Sequence, residues 1–246
     1  MFIHNIDPVL LSIFGMEIRY YGLVFVIGFM LIFIVLMKQR EKLNLTKDDV
    51  YDYIFYLIIF TVVGARIFEI LFYEPYFYFG NPIEMLKIWK GGLSFHGGLS
   101  GIILWNYIFT RKKRLNFYDT SDILVIPAAF TLFLGRIANF INGELVGKIT
   151  DMWWAVKFQD YEGFRHPTQI YEALKNLFIS FLLIFLRRSN LKKGTLSWLF
   201  VLLYGILRFF IEFLKEQSSF IFGIPVTQVL SGLMIAVSLY FLLRKW

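Results

Sequence analysis

The stretch YYGLVFVIGFMLIFIVLM, residues 20–37, decides the fold class, because it runs without a single charged side chain. A helix that crosses a bilayer needs about 20 mostly apolar residues. The preceding residues 1–20 lack the basic start and apolar core of a cleavable signal peptide. We therefore expect a structural membrane-spanning helix here.

Similar stretches recur along the whole chain. The six further candidates are residues 51–73, 92–110, 121–138, 168–186, 195–213 and 226–243. The chain is 58% hydrophobic, whereas soluble domains are about 45–50% apolar. No run of short alternating segments indicates a β-barrel. The sequence predicts an all-α integral membrane protein with seven transmembrane helices, organised as one polytopic domain over residues 1–246.

The basic residues give the orientation, because short cytoplasmic loops collect Lys and Arg. Four clusters follow the first, third, fifth and seventh spans. They are Lys38, Arg40, Lys42 and Lys47; Arg111–Arg114; Arg187, Arg188, Lys192 and Lys193; and Arg244 and Lys245. Seven spans place all four on one side if the N-terminus is outside and the C-terminus cytoplasmic. We attribute the net charge of +7 to topology and to attraction for anionic lipids, and expect no nucleic-acid partner.

The absence of cysteine excludes a thiol nucleophile, a thiolate metal site and a disulfide within the chain. Neither an HExxH motif nor an acidic cluster of metal-ligand type occurs, so we expect no metal.

With this topology the polar residues gather near the outer face. GGLSFHGGLSG, residues 91–101, begins the third span and holds His96 between two glycine pairs. Glycines at a helix start allow close backbone approach and expose N–H groups to an anion. His96 is suited to carry a proton, to bind a phosphate, or only to satisfy a buried carbonyl.

A second polar group ends the fourth span, in GRIANFINGELVGK, residues 135–148. Its polar members are Arg136, Asn139, Asn142 and Glu144. Ionised groups at membrane depth are costly, which indicates either a functional site or a network that locks helices together. A helix that continued through the segment would place Arg136, Asn139 and Gly143 on one face. Arginine binds phosphate through its planar fork, and asparagine binds hydroxyls or ester carbonyls.

Further polar residues follow on the later spans. His166 precedes the fifth span, and Glu172 lies three residues after Gln169, so that both can point inward. Arg208 and Glu212 are neighbours on one face of the sixth span, as a self-contained ion pair or as the wall of a polar lumen. The second span adds Arg66 and Glu69, and Tyr21 occupies an interfacial position typical of tyrosine. These residues together predict a cavity open to the outer leaflet, with an anionic lipid headgroup as its guest.

GRIANFINGELVGK resembles the signature GRxGNFxNxExxG of the bacterial prolipoprotein diacylglyceryl transferases. The resemblance continues, in the same order, in YYGL at 20–23, GGLSFHGGLSG at 91–101, RHPTQIYE at 165–172 and LRFFIEF at 207–213. Ala138 stands where glycine is common, and Lys215 where an arginine is frequent. The outer segment is short for the family, which implies a small periplasmic head at about 139–168.

The resemblance implies transfer of the sn-1,2-diacylglyceryl group from phosphatidylglycerol to the lipobox cysteine thiol of a prolipoprotein, the first step of lipoprotein maturation. The enzyme would be multi-pass in the bacterial inner membrane, active toward the outer leaflet, with a prolipoprotein signal peptide as partner and no cofactor. His96, Arg136 and Arg208 are the implied catalytic residues, with His96 as base, relay or lipid-positioning group. The implied phosphatidylglycerol-binding residues are Tyr21, Arg136, Asn139, Asn142, Glu144, His166, Glu172 and Glu212.

A transporter or flippase for an anionic phospholipid is the alternative, since it too needs a polar cavity among helices. The one-sided placement of the motifs argues against it, because alternating access needs polar gates on both faces.

Overall fold

The secondary structure is mostly helical. The structure is a computed structural model that describes residues 1–13, 16–216, 220–221 and 223–244, so that Lys245 of the last basic cluster lies outside the described residues. The α-helices in this part of the chain are α1 Tyr20–Gln39, α2 Lys47–Phe68, α3 Pro75–Gly80, α4 Phe95–Lys112, α5 Phe117–Ile141, α6 Thr168–Leu186, α7 Thr195–Ile211 and α8 Val226–Leu243. A π-helical turn at Glu69–Tyr73 prolongs α2, and 3₁₀ turns occupy Pro82–Leu86, Ile88–Lys90 and Glu212–Leu214.

Six helical segments of the described chain are long and apolar enough to cross a membrane. They are Tyr20–Gln39, Lys47–Tyr73, Phe117–Ile141, Thr168–Leu186, Thr195–Leu214 and Val226–Leu243. The predicted third span is helical as α4, but it carries His96, Asn106 and two basic residues in its last turn and is not among the six. The prediction of an α-helical protein with several spans is confirmed, while the count of seven and the N-out orientation stay predictions.

Short strands, which the sequence did not indicate, occur before the first predicted span and between later ones. β1 (Phe2–Ile3) pairs in parallel with β4 (Val156–Lys157). β2 (Val9–Ile13) and β3 (Met16–Arg19) form an antiparallel hairpin, as do β5 (Phe220–Ile221) and β6 (Ile224–Pro225). All are far too short to cross a bilayer as strands.

The chain divides into two compact units. The first comprises Met1–Leu31 and Asp122–Trp246, and the second comprises Ile32–Ser121. In the first unit, the Asp122 carboxylate accepts hydrogen bonds from the backbone N–H groups of Gly194, at 2.6 Å, and Ser197, at 2.8 Å. A carboxylate at a helix N-terminus satisfies free N–H groups and opposes the helix dipole. Asp122 thus fixes the start of α7 to α5.

The second unit depends on close contact between α2 and α4. A Cβ atom built on Gly97 would lie 2.3 Å from the Gly64 carbonyl oxygen, and one on Gly101 would lie 2.0 Å from the Phe60 carbonyl oxygen. Glycine is therefore required on this face of α4, because the opposing backbone leaves no room for a side chain. Toward the other end of the same contact, the Tyr53 hydroxyl donates to Asn106 Oδ1 at 3.1 Å.

We expect Gly101→Ala to destabilise the protein, because the methyl group forces α2 and α4 apart. Overpacking of this kind costs about 1–3 kcal/mol. Gly98→Ala is the matched control, since its Cβ would meet Thr61 Cγ2 at an ordinary 3.6 Å. Thermal unfolding in detergent micelles measures both. Equal midpoints for the two variants would contradict the close-contact explanation.

Candidate active site

The signature segment bends away from α5 at a glycine. Gly143 has a φ of +70°. The Gly143 N–H donates to the Phe140 carbonyl at 3.0 Å, and the Glu144 N–H donates to the Asn139 carbonyl at 3.2 Å. This pair of bonds is the Schellman motif, in which a left-handed glycine ends a helix. Because α5 ends at Ile141, Arg136 and Asn139 share its last turns, whereas Gly143 does not continue their face.

Glu144, directly after this turn, accepts hydrogen bonds from the neighbouring side-chain amides. Its Oε1 accepts from Asn139 Nδ2 at 2.7 Å and from Asn142 Nδ2 at 3.2 Å. Its backbone carbonyl accepts from Gln169 Nε2 at 2.5 Å. The Tyr21 hydroxyl is hydrogen-bonded to the Asn139 side chain, with Glu144 among its charged neighbours. The structure thus brings four of the predicted binding residues, Tyr21, Asn139, Asn142 and Glu144, together.

Glu172 is the centre of the charged part of the site. Its side chain is fully buried at the start of α6. Lys175 Nζ lies 2.7 Å from its Oε2, Lys215 Nζ lies 3.6 Å from its Oε1, and Arg136 Nε lies 3.8 Å from its Oε2. Arg208 Nη1 contacts its Oε1. One carboxylate therefore meets four cations from α5, α6, α7 and the segment after α7.

The charges in this cluster do not cancel. We define the cation cluster as Arg136, Lys175, Arg208 and Lys215 with the carboxylates Glu172 and Glu212. The Arg208 Nη2 atom lies 2.9 Å from Glu212 Oε2. Counted with every group ionised, four cations and two carboxylates leave an excess of two positive charges among these described residues. Buried charge is costly unless it is paired. The cluster is therefore suited to receive an anion, and guanidinium groups favour phosphate.

The two arginines differ in how firmly they are held. Arg208 contacts the carboxylates of both Glu172 and Glu212. Arg136 lies 3.8 Å from Glu172 and donates to Asn139 Oδ1 at a long 3.3 Å. A guanidinium carries five N–H donors, so that Arg136 keeps more of its donors available. Arg136 is accordingly the better placed of the two to bind a ligand.

Sequence reasoning missed Lys175 and Tyr204. The Lys175 ammonium lies 3.6 Å from the centre of the Tyr204 ring, and Arg136 is among the charged neighbours of the Tyr204 hydroxyl. Both residues lie inside predicted spans and outside the recognised motifs. The lysine was nevertheless detectable, because a cation within an apolar span needs a partner or a function.

His166 has a separate environment. Its Nδ1 lies 3.1 Å from the Tyr171 hydroxyl, which accepts from Trp154 Nε1 at 2.6 Å. Burial lowers the pKa of the His166 imidazole, which favours the neutral ring. Among the described contacts, none joins this ring to the cation cluster. The backbone of His166 accepts from the Gly147 N–H at 3.0 Å, so that it supports the signature segment.

The backbone around Gly147 positions Lys215. Gly147 and Lys215 form an antiparallel bridge, and the Lys148 N–H donates to the Leu214 carbonyl at 2.8 Å. The buried Arg165 donates to the Gly147 carbonyl at 3.1 Å and pairs with Glu216 at 2.6 Å. These contacts hold the segment after α7 against the segment between α5 and α6.

His96 belongs to the second unit. It is exposed in the first turn of α4, and its Nδ1 lies 3.1 Å from the Tyr73 hydroxyl. Arg66 in the same unit is buried, and it donates to the backbone carbonyls of Met85 and Gly91 at 3.0 and 2.8 Å. These contacts tie the segment before α4 to α2. The Arg66 guanidinium therefore has a structural role, because backbone carbonyls accept its hydrogen bonds.

Known proteins resemble the whole chain. The family model described as prolipoprotein diacylglyceryl transferase matches residues 8–244. The chain is 39% identical over 219 residues to the phosphatidylglycerol–prolipoprotein diacylglyceryl transferase of Geobacter sulfurreducens. The aligned region covers 87% of this chain and 84% of that protein. The chain is 38% identical over 251 residues to the protein of the same name from Rickettsia bellii, covering 98% and 95%. A third, from Bordetella parapertussis, is 40% identical over 224 residues, covering 88% and 85%.

Lys215 makes the cluster sensitive to pH. Burial, with repulsion from Arg208 and Arg136, lowers the pKa of Lys215 to about 7. The folded protein therefore loses this positive charge as the pH rises through 7, well below the usual pKa of lysine, about 10.4. We expect the affinity for an anionic phospholipid, measured in neutral micelles, to fall several-fold from pH 6 to about pH 8.5 as Lys215 deprotonates. Lys215→Arg should flatten this dependence.

Lys148→Arg, at an exposed position between α5 and α6, is the control and should keep the wild-type pH profile. If Lys215→Arg shows the same decline as the wild-type protein, Lys215 is not the titrating group.

Proposed function

The chain belongs to the prolipoprotein diacylglyceryl transferase family, and on that premise we propose that this multi-pass membrane protein transfers the sn-1,2-diacylglyceryl group from phosphatidylglycerol to the cysteine thiol of prolipoproteins. The excess of positive charge around Glu172 is the observation that carries the proposal. The cluster matches the phosphate of the donor lipid. The acceptor thiol comes from the prolipoprotein, since this chain has no cysteine.

The reaction places charge where the cluster lies. In the transfer, the sulfur attacks the carbon of the diacylglyceryl group that bears the phosphate ester. A carbon–sulfur bond forms as the carbon–oxygen bond breaks, and glycerol phosphate leaves. The phosphate changes from a monoanion in the diester to a dianion in the leaving group as the thiolate loses its charge. Fixed positive charge aimed at this developing charge is usually a large catalytic contribution.

The residue roles follow from the contacts. In this scheme Arg136, with most of its donors available, binds the phosphate, while Arg208 is oriented by Glu172 and Glu212 and stabilises the leaving group. Glu144 orients Asn139 and Asn142 toward the headgroup. Tyr21 completes this side of the lipid site, and His166 supports it through Gly147. The role of His96 follows from the family resemblance and not from a contact: it takes the thiol proton directly or through a relay.

The topology is part of the proposal. Seven spans with α4 included, an outside N-terminus and a cytoplasmic C-terminus would direct the site toward the outer leaflet of the bacterial inner membrane. Residues 1–246 would form one membrane domain, with a small head at about 139–168. The four basic clusters, at the ends of alternate spans, support this arrangement.

The direct test is to incubate the purified protein with phosphatidylglycerol and a lipobox peptide that contains one cysteine. We expect a thioether-linked diacylglyceryl peptide and free glycerol phosphate in equal amounts. Mass spectrometry measures the peptide, and phosphate analysis measures the glycerol phosphate. Movement of lipid between leaflets without either product would instead indicate a flippase.

Arg136→Lys should lose most of the transfer activity although it keeps the charge, because an ammonium cannot make the bidentate fork. Loss of one such charge-assisted contact corresponds to about a hundredfold fall in kcat/KM. Arg19→Lys, at an exposed position paired with Glu17, is the matched control and should remain active. Near-normal transfer by the Arg136 variant would remove this residue from the catalytic group.

His96→Asn should slow the reaction at neutral pH by about a hundredfold, as expected for loss of a general base. The rate of the variant should recover at higher pH, because the free thiol ionises unaided with a pKa of about 8.5. Transfer rates between pH 6 and about pH 9.5 give the profile. A defect of equal size at every pH would indicate a lipid-positioning role, and a wild-type rate at neutral pH would mark His96 as structural.

A further inference from the structure

Within the part of the chain that the structure describes, two buried carbonyl oxygens in or near the signature segment have no hydrogen-bond partner. They are Oε1 of Gln169 and Oδ1 of Asn142. Gln169 is 1% exposed, in the first turn of α6. A buried acceptor without a hydrogen bond is unfavourable, so that each such atom in a folded protein calls for an explanation.

The orientation of both amides is determined by Glu144. Gln169 Nε2 faces the Glu144 backbone carbonyl at 2.5 Å, and Asn142 Nδ2 faces the Glu144 carboxylate at 3.2 Å. Carbonyl and ionised carboxylate oxygens only accept hydrogen bonds, so that the amide nitrogens must be the atoms that face Glu144. The amide oxygens of Gln169 and Asn142 therefore point elsewhere, as free acceptors.

Asn139 provides the contrast within the same group. Its Nδ2 also donates to the Glu144 carboxylate, at 2.7 Å, but its Oδ1 accepts from Arg136 Nη1 at 3.3 Å. Glu144 thus orients three amides, of which Asn139 is satisfied within the protein. The oxygens of the other two are available to a donor that the described residues do not supply.

We propose that the carbonyl oxygens of Gln169 and Asn142 accept hydrogen bonds from the two hydroxyls of the glycerol headgroup, and so select phosphatidylglycerol among phospholipids. This inference rests on the proposed function. Hydroxyl groups donate to carbonyl oxygens, whereas the phosphate oxygens of the lipid are acceptors and would be repelled by them. The amides therefore bind the hydroxyls of the headgroup, while the cation cluster binds its phosphate.

The cation cluster explains why a cationic headgroup does not fit these acceptors. An ammonium group also donates hydrogen bonds. However, the Arg136 guanidinium donates to Asn139, one of the three amides that Glu144 orients, so that a positive charge already lies beside these amides. The excess positive charge of the cluster opposes a second cation there. A neutral polyol headgroup satisfies both requirements.

The test crosses protein variants with donor lipids. The two lipids are phosphatidylglycerol and phosphatidylpropanol with the same acyl chains, which differ only in the two hydroxyls. The measured quantity is kcat/KM for lipidation of a lipobox peptide. We expect the wild-type protein to prefer phosphatidylglycerol at least about tenfold, since sites that bind a hydroxyl reject analogues without it. Gln169→Met removes one of the two acceptors, so that it should lower the value for phosphatidylglycerol by part of this factor and leave that for phosphatidylpropanol unchanged.

Gln228→Met is the matched control, because Gln228 is a buried glutamine of α8 with no described contact to the Glu144 group. It should keep the wild-type preference. If Gln169→Met does not fold, Asn142→Ala, in the turn after α5, is the second variant. It should likewise lower kcat/KM for phosphatidylglycerol and leave that for phosphatidylpropanol unchanged.

An unchanged lipid preference in the Gln169 and Asn142 variants would overturn the inference, as would equal losses on both lipids. Failure of the proposed function gives a different result, because the wild-type protein would then lipidate the peptide with neither lipid.

Discussion

The buried carboxylate of Glu172 is the constraint on which the site depends. It meets cations from α5, α6, α7 and the segment that follows α7, so that one side chain fixes the relative positions of these elements. Removing one partner of a buried ion pair typically costs about 3–5 kcal/mol, because the other charge stays unpaired. Glu172 therefore holds the cations in place, and their excess charge makes the site suited to an anion.

Glu144 has a corresponding role for neutral groups. It ends the signature turn, where Gly143 reverses the chain, and it orients the amides of Asn139, Asn142 and Gln169. The site thus has two parts with different chemistry. The cations around Glu172 are suited to phosphate, and the amides around Glu144 are suited to hydroxyls. Phosphatidylglycerol carries both kinds of group next to each other.

Much of this arrangement follows from local sequence, and the rest does not. Long apolar runs predicted the spans, and the spacing of Arg208 and Glu212 predicted their ion pair, because helix periodicity alone determines which residues are neighbours. The convergence of cations on Glu172 joins different helices, and no local pattern encodes it. Lys175 lies three residues after Glu172 on α6, so that their ion pair was detectable from the sequence, whereas its contact with Tyr204 of α7 becomes visible only when the helices are packed. The turn at Gly143 was misjudged because the helix was extended past its C-terminal glycine.

The central claim is that the cation cluster binds the phosphate of the donor lipid through Arg136. Solid-state NMR can measure the dipolar coupling between lipid ³¹P and ¹⁵N-labelled arginine side chains, with the protein in phosphatidylglycerol bilayers. The central claim predicts a coupling for a phosphate in hydrogen-bond contact with a guanidinium that is weaker in an Arg136→Gln variant than in Arg19→Gln, because the arginines that contact other lipids contribute equally to both variants. A coupling that is absent in the wild-type protein, or unchanged in the Arg136 variant, would contradict it.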